Sequence, residues 1–164
     1  MTVTATALCE RSPSLSADDI VANLVPPQQF ATASFDSYIP DADYPSQAQA
    51  RDLLATFASA STVASSGKLF GRRHKTEEER PGVYLDGGFG VGKTHLLAAL
   101  WHAAPGRKKY FGTFLQYTSL VGALGYATAV EALRGSSLIC IDEFELDDPG
   151  DTMVMTRLLG ELVS

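Results

Sequence analysis

The chain of 164 residues reads as an α/β protein, a parallel sheet with flanking helices. Three observations carry this reading. The apolar strand candidate Val83-Tyr84-Leu85 runs into the glycine-rich stretch Gly87-Gly88-Phe89-Gly90-Val91-Gly92-Lys93-Thr94. That stretch opens onto an apolar helix pattern, Leu96, Leu97, Leu100 and Trp101. Further on, Leu138-Ile139-Cys140-Ile141 is too short for a helix and suits a strand buried on both faces, as parallel strands are. It ends on the acid pair Asp142-Glu143.

The elements follow in order. Residues 1–15 are rich in Thr, Ala and Ser without periodicity and read as disordered. Ser16 with Asp19 three residues on caps a short helix carrying Ile20, Val21, Leu24 and Val25, which Pro26-Pro27 ends. An extended stretch with Phe30, Phe35 and Tyr38 comes next. Pro45-Ser46-Gln47-Ala48-Gln49 reads as a capping box, and Ala50, Leu53, Leu54, Phe57 and Ala64 mark one face of the helix behind it. Beyond the glycine-rich loop a helix covers about Lys93–Ala104, with Trp101 in the core and the rings of His95 and His102 structural. Lys109–Gly112 is a second strand. Phe114, Tyr117, Val121 and Leu124 mark a helix, a shorter one covers Thr128–Leu133, and Leu138–Asp142 is the third strand. Val154, Met155, Leu158, Leu159 and Leu162, after Asp151, mark a last helix.

The stretch from Gly87 to Thr94 fits G-x-x-x-x-G-K-[ST], a phosphate-binding loop. Such a loop needs backbone freedom, because consecutive amides must curl around a polyphosphate, and the helix that follows adds its positive end. A dinucleotide-type G-x-G-x-x-G read from Gly88 fails, because Lys93 stands where glycine is required. The binding set is therefore Gly87, Gly88, Phe89, Gly90, Val91, Gly92, Lys93, Thr94 and the His95 backbone amide. Lys93 is the point charge for the β- and γ-phosphates, and Thr94 is a ligand of Mg²⁺. Asp142 stands at the C-terminal end of a parallel strand, where open α/β sheets bind ligands, and is placed to hold the same Mg²⁺. Glu143 is placed to orient and polarise an attacking water. That second acid favours ATP hydrolysis over a small-molecule kinase, which must exclude water and position an acceptor hydroxyl. Glu145, Asp147 and Asp148 read as a solvated acidic turn.

Composition sets the bounds. A hydrophobic content of 45% with 20% charged residues is ordinary for a globular domain. No apolar run approaches the roughly 18 residues needed to span a bilayer, and the start has neither a basic signal region nor Arg-rich transit character, so a cytoplasmic address follows. Cys9 and Cys140 alone support neither a disulfide frame nor a metal cluster. A net charge of −6 argues against nucleic acid held by bulk electrostatics. The basic run Arg72-Arg73-His74-Lys75 is cancelled by Glu77-Glu78-Glu79, and Arg107-Lys108-Lys109 reads as helix-end and strand-edge charge.

Gly82 to Thr94, with Cys140-Ile141-Asp142-Glu143-Phe144 and the continuation Asp148, Asp151, Met153, Arg157 and Leu158, resembles the AFG-type ATPase family of AAA+ proteins. The resemblance covers about residues 30–164, read as the N-terminal part of an AAA+ ATPase domain, with residues 1–29 as an N-terminal extension. It implies a P-loop NTPase fold, ATP and Mg²⁺ as cofactors, and a homo-oligomer at full length that remodels a protein partner, in bacterial members at the cell-division ring. It also implies that Phe35 and Tyr38 border the adenine, against the alternative that they pack beneath the sheet. The family's five-stranded sheet has the order 5-1-4-3-2. The chain ends before strands 4 and 5 and before the sensor and arginine-finger segments. Strands 1 and 3 are therefore expected to flank an open slot, and turnover by this piece to be slow, since an arginine finger alone is worth roughly 10³–10⁵ in rate. A nucleotide-switched helicase loader or replication initiator is the alternative, since Gly92-Lys93-Thr94-His95-Leu96-Leu97 also resembles that class.

Overall fold

The computed structural model describes residues 16–66, 82–144 and 148–163. The stretch 1–15, Cys9, the basic run Arg72–Lys75, Glu145 and Asp147 lie outside them.

Helix α1 (Ala17–Val21) begins at the expected capping box, in which the Asp19 amide donates to Ser16 Oγ and the Ser16 amide to the Asp19 carboxylate. Helix α2 (Pro45–Ser66) starts two residues earlier than a box with Ser46 as its cap and Gln49 three residues on would place it. Pro45 takes the first helical position, where its missing N–H costs nothing. Gln47 instead turns back to accept from the Asp41 amide at 2.8 Å. On this helix Leu54 and Ala58 are buried, whereas Leu53 is 53% exposed and does not belong to the inner face. The side chain of Ala64 lies outside those described.

Helix α3 (Lys93–Ala103) follows the glycine-rich loop, then strand β1 (Lys109–Thr113), helices α4 (Phe114–Leu124) and α5 (Tyr126–Leu133), strand β2 (Leu138–Asp142) and helix α6 (Pro149–Val163). The two strands pair in parallel, with Lys109 opposite Leu138 and Thr113 opposite Asp142. Thr113 also caps α4 in a box with Gln116.

Side-chain alternation sorts the sheet into two faces. Tyr110, Ile139 and Ile141 pack into a core with α1, α4, α5 and α6, built on Tyr117, Leu120, Leu133, Met155 and Leu158. Phe111, Leu138 and Cys140 pack into a second core with α2, α3 and the Phe30–Tyr38 stretch. The result is a sheet covered by helices on both sides, the arrangement that parallel strands require. Burial pushes the Cys140 thiol up to about 12, so it is a protonated, unreactive core group at neutral pH. The outer edge of β1 is covered as well, since the Phe111 amide donates to the Leu24 carbonyl at 2.8 Å. Pro26-Pro27 stops that edge contact from extending.

The expected strand Val83-Tyr84-Leu85 is not one. Residues 82–88 have no regular structure, and among the described residues the sheet has only β1 and β2. A strand is defined by a ladder, and among the described residues none completes one with this segment; the segment and β2 instead line the same cleft. Tyr84 makes an edge-on contact with Phe144 across the cleft, ring centroids 6.5 Å apart.

Candidate nucleotide site

The cleft holds about 1000 Å³ and is lined by Gly82–Gly87, Phe89–His95 and Ser136–Phe144, together with apolar groups such as Phe57, Leu97 and Leu162. Two elements meet there because of local geometry. In β2 the residues alternate, so Leu138, Cys140 and Asp142 share the face toward α3. Asp142 is consequently the carboxylate that meets the first turn of α3, where the Thr94 hydroxyl donates to its Oδ2 at 2.8 Å. Asp142 is 9% exposed. Its neighbour Glu143 is exposed, lines the same cleft, and has φ of +50°, the left-handed turn that ends the strand. Phe144 then anchors the turn against Phe114, with ring centroids 5.3 Å apart.

The loop is shaped by glycine where the chain turns left-handed. Gly92 has φ of +85° and stands at the N-terminal cap of α3. A Cβ there would come within 2.7 Å of the Tyr38 ring, so the position excludes any other residue on two grounds. Lys93 folds back over the loop, its Nζ donating to Gly87 O at 2.7 Å and Gly88 O at 2.8 Å. The first-turn amides of α3 and the Lys93 ammonium form one electropositive end to the cleft. Phe89, at the loop tip, is fully exposed.

The ring of His95 is held by the Phe30–Tyr38 stretch: Nε2 lies 3.1 Å from Ser34 O and 3.0 Å from Ser37 Oγ. His102 Nε2 lies 3.0 Å from Phe30 O. Tyr38 is buried in the second core and is absent from the cleft lining, as is Phe35. Of the two readings of these aromatics, packing is the one realised; Phe30 is the aromatic of this stretch that reaches the cleft. Lys109 caps the last turn of α3 through Trp101 O and Ala104 O, at 2.6 and 2.8 Å. Asp148, read as solvated, caps α6 by accepting from the Gly150 and Asp151 amides at 2.7 and 3.0 Å. Arg157 lies away from the cleft, stacked 4.3 Å over the Tyr126 ring and 3.7 Å from the Glu161 carboxylate, joining α5 to α6.

A parallel sheet whose strand delivers a carboxylate to the hydroxyl of a G-x-x-x-x-G-K-T loop is the arrangement of a P-loop NTPase, and the family match that follows makes it one of the AAA+ type. The chain belongs to the AFG1-like ATPase family, whose sequence model matches residues 15–164. The cell division protein ZapE of Escherichia coli strain K12 is 30% identical over 111 residues, 61% of this chain. The ZapE of Escherichia coli O157:H7 matches to the same extent. In each case the match spans 30% of the relative's length. No solved structure matches the chain. Among the described residues no helix is long and apolar enough to cross a membrane.

Proposed function

We propose that this chain binds ATP with Mg²⁺ in the cleft and hydrolyses it. The observation that carries the reading is the 2.8 Å bond between Thr94 Oγ1 and Asp142 Oδ2, which puts loop and acid pair in one place. A hydroxyl and a carboxylate suit Mg²⁺, an oxygen-seeking ion that keeps several waters and completes its shell with phosphate oxygens. When bound, Mg²⁺ supplies charge that neutralises the β- and γ-phosphates.

The chain's own residues do the remainder. The amides of Gly88 to His95 bind phosphate oxygens, and Lys93 Nζ exchanges its two loop carbonyls for the β- and γ-phosphates. The Glu143 carboxylate orients a water for in-line attack at the γ-phosphorus and accepts its proton as the bond to the β–γ bridging oxygen breaks. The full-length protein is a cytoplasmic homo-oligomer that couples this hydrolysis to remodelling a protein partner. A role in cell division is supported by the likeness to ZapE, named a cell division protein.

Glu143→Gln tests the assignment, because it keeps shape and removes the base. Affinity for Mg-ATP is expected to stay within about twofold, and single-turnover phosphate release to fall by about 10²–10⁴. Equal release by the variant and the unaltered chain would remove Glu143 from the mechanism.

A further inference from the structure

We propose that Tyr38 is a positioning residue for phosphate binding: its hydroxyl holds the Val91 carbonyl and so aims the Gly92 amide into the cleft. This rests on the reading of the cleft as a nucleotide site. Tyr38 Oη donates to Val91 O at 2.8 Å, and its other acceptor, Gln47 Oε1, is farther away at 3.4 Å. The single hydroxyl proton goes to the nearer oxygen.

Across a trans peptide, C=O and N–H point in opposite directions. Among the described residues no peptide is cis, so a Val91 carbonyl drawn toward Tyr38 turns the Gly92 N–H away from it. Val91 and Gly92 line the cleft and Tyr38 does not, so away from Tyr38 is toward the cleft.

The loop needs such a brace because glycine leaves the peptide free. Rotating the Val91–Gly92 peptide by half a turn would carry the Gly92 φ from +85° to a negative value, and glycine accepts both. The flipped peptide would present a carbonyl to the phosphates instead of an amide. Tyr38 opposes the flip with its hydroxyl and with its ring, which fills the place a Gly92 side chain would take. The brace is itself anchored. Gln47, beside the hydroxyl, is fixed by the Asp41 amide, and the neighbouring Ser34 and Ser37 grip His95 in the first turn of α3.

Tyr38→Phe removes the hydroxyl and keeps the ring. Competition titrations on the full chain with ATP, inorganic tripolyphosphate and adenosine read the outcome. Affinity for ATP and tripolyphosphate is expected to fall about two- to tenfold, the worth of one hydrogen bond, while adenosine binding is unchanged. An equal loss for adenosine would make Tyr38 a base contact or a general structural residue and overturn the inference, as would no loss at all. If the unaltered chain binds neither ATP nor tripolyphosphate, the nucleotide reading fails first. Should the variant not fold, 3-fluorotyrosine at position 38 keeps the hydroxyl. Its ¹⁹F resonance is expected to move when tripolyphosphate is added, and a resonance that stays put refutes the brace.

Discussion

Replacing Lys93 with alanine is expected to weaken Mg-ATP binding by roughly 10²–10⁴-fold while leaving the fold intact. The size follows from two charge-assisted hydrogen bonds to phosphate, each contributing about 1.5–3 kcal/mol. The asymmetry follows from where Lys93 sits. Among the described residues its Nζ donates to the backbone oxygens of Gly87 and Gly88, both exposed, so water replaces it in the variant at little cost. Calorimetric titration of the variant, with circular dichroism to confirm helix content, checks both halves. Affinity unchanged within threefold would mean that phosphate does not bind at this loop.

Tyr117→Ala is expected to be the most damaging single change to the fold, with a loss of about 3–5 kcal/mol. Tyr117 is 1% exposed and reaches from α4 across the first core to the sheet, where its hydroxyl donates to Cys140 O at 3.2 Å. Burial drives its phenol pKa far above the ordinary value, so the hydroxyl stays a donor throughout the working range of pH. Domains of this kind hold only about 5–15 kcal/mol in all, so the loss threatens β2 and with it Asp142. Tyr117→Phe separates the two contributions and is expected to cost about 1–3 kcal/mol for the carbonyl left without its donor. Urea unfolding measures both. A loss below about 1 kcal/mol for the alanine variant would show that this core does not hold the sheet.

Local chemistry made much of this legible in the sequence. The turn from the glycine-rich loop into α3 was readable because Gly92 takes a left-handed conformation that glycine alone adopts freely. Strands at Lys109 and Leu138 were readable because short apolar runs without helical period have few alternatives. The Ser16–Asp19 box was readable because both partners lie within one turn. What failed depended on partners distant in the chain. Val83–Leu85 has strand composition, yet pairing is a property of two segments, and among the described residues none pairs with this one. Leu53 fits a helical stripe but lies at its solvent margin, whereas Ala58, small and easily passed over, is buried. Asp148 looked like loose charge because a cap shows itself only once the helix start at Pro149 is known. Tyr38 gave no local sign of its bond to Val91, 53 residues away. Only an aromatic in an extended stretch hinted at a role, and the role is to brace the loop from outside the cleft.

On the proposed function, the loop and Asp142 grip one metal-bound triphosphate. Titrating ATP into the unaltered chain, once with Mg²⁺ and once with excess chelator, decides whether they do. The expected result is saturable binding at one site per chain, at least about tenfold tighter with Mg²⁺ because the side chains of Thr94 and Asp142 contribute only through the metal. Binding indifferent to Mg²⁺, or no binding under either condition, would contradict it.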